Sequence, residues 1–307
     1  MVECKTALSV GGLKEIDPGI IKAVVFDMDG VITDTARTHA HAWKKLFDEY
    51  LQERSQRLDE EHDTFDIQTD YYRYVDGKPR YDGVQSFLDS RGISLPYGTP
   101  EDEAGTETVC GLGNRKNEYF RESLRTVAPE AYPSSVEFVR KLKEAGFATA
   151  IISASRNCRD VLQAAGVDTL FDTRVDGIDS AELGLKGKPA PDIFLEAAKR
   201  LITRPHQSVV IEDALAGVEA GCRGKFRMVI GVDRVGQADE FRKRGASTVV
   251  ADLSELEVGR KRPAPDTQPI RNLPSALERK NEIFHMIRKA SPAIFLDYDG
   301  TLTLIVP

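Results

Sequence analysis

The chain has 307 residues, enough for about two domains at roughly 150 residues each. Hydrophobic residues make up 41% and charged residues 30%, a composition that excludes disordered and fibrous classes. The net charge of −7 comes without a basic stripe, which argues against nucleic acid as a partner. Any bound phosphate must then be held by a few local cations, backbone N–H groups or a metal.

Apolar runs such as residues 148–154 fall far short of the roughly 20 residues that cross a bilayer, so no membrane partner is expected. Glu3, Lys5, Lys14 and Glu15 interrupt the N-terminal apolar stretch, a poor signal peptide, and the expected location is cytoplasmic. Cys4, Cys110, Cys158 and Cys222 are scattered, with no CxxC pair. Free thiols are expected rather than a disulfide framework or a zinc site.

Along the chain, residues 1–19 read as a leader with Gly11, Gly12 and Asp17-Pro18-Gly19. Residues 22–26 read as a short buried strand. A polar, helix-rich stretch follows, from about Thr38 to Arg121. Then apolar strands recur at 148–153, 208–211, 228–232 and 248–250, with helical patterns at 134–145, 157–165, 191–201, 214–222 and 238–244. Strands that alternate with helices predict an α/β fold, a doubly wound parallel sheet with helices on both faces. The expected domains are a core of 20–37 and 122–255 with a helical cap, 38–121, inserted into it. Pro263, Pro265, Pro269 and Pro274 mark 256–290 as linker and short helix. Residues 293–297 read as a further buried strand.

The strongest chemical signal is Asp27-Met28-Asp29-Gly30 at the end of the first strand. Carboxylates at i and i+2 share one side of an extended chain. At the carboxyl end of a parallel strand they face the crevice where open α/β sheets bind ligands. The pair suits phosphoryl transfer: Asp27 attacks phosphorus, and Asp29 protonates the leaving oxygen and later takes a proton back. A carboxylate repels a phosphate dianion, so a cation is required, and an oxygen-rich ligand set favours Mg²⁺.

Later segments extend the pattern. Ser153 ends the second strand, Lys188 stands in Gly187-Lys188-Pro189, and Glu212-Asp213 ends another strand. They offer a donor to phosphate oxygen, a positive charge and metal ligands. Each also has a plainer reading: a strand-end cap, a solvated lysine and an N-cap pair.

In this order the residues resemble the haloacid dehalogenase-like phosphotransferases over about residues 20–255. Asp27 to Thr35, His39, Ala42-Trp43-Lys44 and Gly187 to Phe194 resemble β-phosphoglucomutase and its near relatives more closely. The resemblance implies Asp27 as nucleophile, Asp29 as acid/base, and Ser153 and Lys188 on the transferring phosphate. It implies Mg²⁺ held by Asp27, the Asp29 carbonyl, Glu212 and Asp213, with a small phosphosugar as substrate. A mutase also holds a second phosphate, and Lys78, Arg80, Ser155, Arg156 and Asn157 are the matching residues. Arg suits that role because its fork binds phosphate bidentately. His39 couples cap closure to chemistry or packs as a hinge; Trp43 is expected in the cap core. The Gly- and acid-rich stretch 97–116 is longer than a compact mutase cap requires and is expected to reshape the sugar pocket.

Asp297-Tyr298-Asp299-Gly300 repeats the logic of the first motif and resembles the opening of trehalose-6-phosphate phosphatases. Residues 291–307 are therefore expected to begin a second haloacid dehalogenase-like domain, a covalent fusion. The expected activity is a β-phosphoglucomutase-type reaction through an aspartyl-phosphate. A sugar-phosphate phosphatase and a non-catalytic regulatory module in trehalose metabolism are the alternatives.

Overall fold

The computed structural model describes residues 14–259. It opens with β1 (Glu15–Ile16) and β2 (Ala23–Asp27). A helical insertion follows: α1 (Ala36–Leu58), a π-helical segment (Ile67–Val75), α2 (Arg80–Ser90) and α3 (Val109–Thr126). The chain continues through α4 (Pro133–Glu144), β3 (Ala148–Ile152), α5 (Cys158–Ala164), β4 (Thr173–Val175), α6 (Gly177–Leu183) and α7 (Asp192–Arg200). It closes with β5 (Ser208–Glu212), α8 (Leu215–Arg223), β6 (Met228–Val232), α9 (Ala238–Lys243), β7 (Thr248–Val250) and β8 (Glu257–Val258).

The main sheet has six parallel strands in the order β4-β3-β2-β5-β6-β7. The chain builds outward from β2 in one direction through β3 and β4, then returns to its other side with β5. The order therefore reverses between β2 and β5, and the crevice at such a reversal is where open α/β sheets bind ligands. Apolar residues on both faces of these strands explain their continuous hydrophobic runs. Val24, Phe26, Ile151, Val209 and Ile211 pack with α4 and α5 residues such as Phe138, Leu142 and Val161. Val25, Ala150, Ile152 and Val210 face the other way, onto Ile193, Phe194 and Val218.

The insertion has its own core. Buried Trp43, Leu46, Phe47, Tyr50 and Leu51 recur on α1 at helical spacing and form one apolar stripe. Phe47 stacks on Trp43 at 5.3 Å and meets Phe87 of α2 at 3.9 Å between ring centroids. Trp43 thus lies in this core. The Thr108 hydroxyl accepts from the Gly111 N–H and caps α3.

Several features depart from the sequence reading. β4 and α6 were not predicted: β4 is only three residues, and α6 buries none of its residues, so neither carries a hydrophobic signal. Glu15–Ile16 pairs in parallel with Glu257–Val258, and Ile16 is buried in the main core. Boundaries at 19 and 255 cut through this pairing, which such short strands do not announce. Cys110 and Cys158 are buried free thiols, but Cys222 is disulfide-bonded, against the expectation. The expected proline-rich linker and the strand at 293–297 lie outside the described residues. No helix among the described residues is long and apolar enough to cross a membrane.

Candidate active site

The turn after β2 is built around Gly30, whose φ of +83° belongs to the left-handed region. A Cβ at Gly30 would collide with the Asp213 carboxylate, so the glycine also admits the loop that follows β5. The Gly30 N–H donates to the Thr33 carbonyl at 2.8 Å and the Thr33 N–H to the Met28 carbonyl at 2.9 Å. Strand register does the rest. Asp27 pairs with Ile152, one residue before Ser153, and Phe26 pairs with Ile211, one residue before Glu212.

Asp27 is 5% exposed. Its Oδ1 accepts from Lys188 Nζ at 2.6 Å, and its Oδ2 accepts from the Asp29 N–H at 3.0 Å. Lys188 Nζ also donates to Glu212 Oε1 at 2.7 Å, which makes a buried acid–lysine–acid triad. Gly217 on α8 leaves the space that the Glu212 side chain fills. Burial pushes the Asp27 carboxyl up to about 6, against the opposing pull of Lys188. Burial and the nearby Asp27 charge push Glu212 up to about 8. Burial and Glu212 raise Asp213 well above the ordinary value. Lys188 is held charged by Asp27 and Glu212 in spite of its burial. Ionising all of these acids would leave more negative charge than Lys188 alone balances. Ligand oxygens of Asp27, Glu212 and Asp213 lie within 4.8 Å of one another, a hard-oxygen donor set that fits a divalent cation.

Asp29 is held differently. Its Oδ2 accepts from the Ser153 hydroxyl at 3.1 Å, and its Oδ1 accepts from the Thr35 hydroxyl. His39 Nε2 stands 3.5 Å from Oδ1, near enough for electrostatic attraction. Burial alone would raise this carboxyl, but His39, Thr35 and Ser153 bring it below the ordinary value. His39 stacks on Phe120 at 3.9 Å, and its Nδ1 lies 2.6 Å from Lys116 Nζ. Burial, then the Arg80 charge, lower the Lys116 ammonium to about 7.

Asp27 and Asp29 open into a cavity of about 680 Å³, which Lys78, Arg80, Lys116, Ser155, Arg156 and Asn157 also line. That size is typical of small-molecule sites. Arg80 reaches Asn114 Oδ1 at 3.3 Å, and burial lowers its guanidinium with Arg156 as a neighbouring charge. Arg156 is exposed. Asn157 donates to Asn117 Oδ1 at 2.8 Å, and its N–H donates to Ser155 Oγ at 3.1 Å. Lys78 donates to Ser86 Oγ at 2.7 Å. Of the stretch 97–116, only Lys116 lines the cavity.

Thr35, Asp76 and Lys116 also reach the site, although none is among the residues expected there from sequence. Thr35 lies inside the first motif, where its hydroxyl was readable. Lys116 looks like one more helical lysine until packing buries it against Trp43 and Phe120, 4.9 and 5.0 Å from their rings. Asp76 also lines the cavity; burial raises its carboxyl to about 7, with Asp27 and Asp29 adding to the rise.

Residues 21–223 match the family described as haloacid dehalogenase-like hydrolase. The chain belongs to that family. This haloacid dehalogenase-like enzyme is 47% identical over 242 residues to a β-phosphoglucomutase of Mycobacterium tuberculosis (strain CDC 1551 / Oshkosh), a match covering 78% of this chain and 92% of the relative. A trehalose-phosphate phosphatase of Mycobacterium leprae is 37% identical over 177 residues, 56% of this chain and 38% of that protein. The solved β-phosphoglucomutase of Clostridium difficile superposes with a TM-score of 0.61 at 25% identity, covering 86% of this chain and 99% of that one. The fold of this haloacid dehalogenase-like chain is thus that of β-phosphoglucomutase structures.

Proposed function

We propose that the chain catalyses Mg²⁺-dependent phosphoryl transfer on a sugar phosphate, as a β-phosphoglucomutase that converts β-glucose 1-phosphate to glucose 6-phosphate. One observation carries this reading. The cavity that holds Asp27 and Asp29 also holds Arg80, Lys116 and Arg156, and none of these cations is paired with an acid among the described residues. A site for a single phosphate has no need of them; a site for a sugar bisphosphate does.

In this reading a bisphosphate primer first leaves one phosphoryl group on Asp27 and departs as a monophosphate. The 6-hydroxyl of β-glucose 1-phosphate attacks that phosphoaspartate while Asp29 accepts its proton, which gives a sugar bisphosphate. The sugar turns, Asp27 attacks the phosphorus at the other end, and Asp29 protonates the departing oxygen to release glucose 6-phosphate. A phosphate dianion beside Asp29 raises that carboxyl from its lowered starting point, which moves it toward the proton-carrying form. Ser153 orients Asp29 and stands ready for a phosphate oxygen, and Lys188 neutralises the transferring group. Arg80, Ser155, Arg156 and Asn157 receive the distal phosphate, with Lys78 at the rim and His39 linking Asp29 to Lys116. Asp27, the Asp29 carbonyl, Glu212 and Asp213 are the residues that would hold Mg²⁺. When bound it supplies positive charge that lets a carboxylate approach a phosphate and stabilises the transferring oxygens. The helical insertion serves as a cap over the core. The Asp297-Tyr298-Asp299-Gly300 motif, outside the described residues, supports reading 291–307 as the opening of a trehalose-phosphatase-like domain.

The test is phosphorus NMR of purified protein with β-glucose 1-phosphate, Mg²⁺ and a bisphosphate primer. Glucose 6-phosphate is the expected product. Free phosphate as the main product would replace the mutase reading with that of a sugar-phosphate phosphatase.

A further inference from the structure

Arg234 lies just beyond β6 and belongs to none of the groups described above. Its Nε donates to the Gly30 carbonyl at 2.6 Å. Its guanidinium stacks on Tyr132, 3.6 Å from the ring centroid. The Tyr132 hydroxyl donates to Asp34 Oδ1 at 3.0 Å, and the Tyr132 N–H donates to the Ile32 carbonyl at 2.9 Å. Arg234 Nη1 lies 3.9 Å from Asp252 Oδ2. The buried Nη2 has no hydrogen-bond partner among the described residues. The placement of this guanidinium thus follows Gly30 and Tyr132 rather than the satisfaction of its own donors.

The consequence lies in the Asp29–Gly30 peptide. Gly30 is the residue at φ +83°, a conformation held by its surroundings because glycine has no side chain to settle it. Its N–H is tied to Thr33, and its carbonyl is tied to Arg234. With both sides of Gly30 tied, the peptide plane that carries the Asp29 carbonyl has little freedom to rotate.

We infer that Arg234, braced by Tyr132, is a positioning residue that sets the Asp29 carbonyl for Mg²⁺. This rests on the proposed Mg²⁺-dependent reading of the site. Groups one step outside a metal's ligands commonly govern affinity, by about 10- to 100-fold when removed.

The test is calorimetric titration of Mg²⁺ into the full-length protein without substrate, with thermal unfolding in metal-free buffer alongside. Arg234→Met keeps length and apolar contact but loses the donor, and is expected to weaken Mg²⁺ about tenfold or more. Arg234→Lys retains a donor for the Gly30 carbonyl and is expected to recover part of that loss. Tyr132→Leu leaves Arg234 in place without its brace and is expected to weaken Mg²⁺ less, in the same direction; it carries the test if Arg234→Met does not fold. Folded variants that bind Mg²⁺ as tightly as the wild type overturn the positioning role. So do equal losses in the Met and Lys variants that follow their fall in stability. A wild-type protein that binds no Mg²⁺ sinks the Mg²⁺-dependent reading itself, an outcome distinct from wild-type binding that the variants leave untouched.

Discussion

Asp27 and Asp29 are two residues apart in the chain, yet their surroundings separate them. Asp27 is pushed up to about 6 by burial, while Asp29 is brought below its ordinary value by His39, Thr35 and Ser153. In the metal-free site these directions run opposite to the proposed roles, since a nucleophile needs the ionised form and a proton carrier the protonated one. A bound cation would favour ionised Asp27, and a phosphate dianion would raise Asp29. Asp27→Asn is expected to cut turnover of a phosphate ester by at least about a thousandfold. Circular dichroism and thermal unfolding should show the fold retained; substantial residual turnover in the purified variant would remove Asp27 from the nucleophile's role. Lys188 makes a poorer test, because its loss strands Asp27 and Glu212 in a buried site, at a cost of about 3–5 kcal/mol. Arg80→Ala tests the proposed distal-phosphate role. It is expected to lower mutase turnover at least tenfold more than hydrolysis of a small monophosphate ester, since a buried Arg fork on phosphate contributes roughly 1.5–3 kcal/mol. Equal losses with both substrates, in steady-state assays, would place Arg80 elsewhere.

At the scale of elements, the turn after β2 is the part with least tolerance. Gly30→Ala forces a side chain into the left-handed region, at roughly 1–2 kcal/mol, and sets its Cβ against the Asp213 carboxylate. Chemical denaturation should show a loss of at least that size, and Mg²⁺ affinity should fall with it because Asp213 must move. An alanine variant with unchanged stability and unchanged Mg²⁺ binding would contradict this packing. Gly77 does a similar service on the insertion side: at φ +68° it brings its loop against Ala214, near Lys188. The motif residues and Gly187-Lys188 were legible because each stands at a strand end or a loop with its own sequence signature. Lys116 and Asp76 were not, since a lysine within α3 and an aspartate after a π-helical segment look like solvated surface until another element covers them.

At the scale of the whole molecule, the cavity lies among the carboxyl ends of β2, β3 and β5, below the helical insertion, and its charge should couple stability to pH. Asp27, Asp76 and Glu212 are pushed up to about 6, 7 and 8, above their ordinary values near 4. A carboxyl raised on folding contributes stability that is full below its unfolded value and is lost as pH rises through its folded value. Metal-free protein should therefore lose stability between about pH 4 and pH 8 from these groups. A divalent cation favours the ionised forms, so the rise in unfolding temperature on adding Mg²⁺ should be larger at pH 8 than at pH 5. Melting curves with Mg²⁺ and with chelator across that range check this. A Mg²⁺ effect that is absent, or equal at both ends, would count against the proposed metal site.

The class of the fold was legible in the sequence, and so were the acids and the lysine that gather around Asp27. Alternating buried strands and helices require a two-faced parallel sheet, and Asp27, Asp29, Lys188, Glu212 and Asp213 sit at positions that local pattern marks. Only the tertiary structure decided which acids share Lys188, that Asp29 is clasped by Thr35 and Ser153, and that Lys116 and Asp76 reach the cavity. Those outcomes depend on contacts between residues far apart in the chain, such as Asp27 with Lys188 and Gly30 with Arg234. Burial and neighbouring charge, which set how each carboxyl titrates, exist only after strand order and register have brought those residues together.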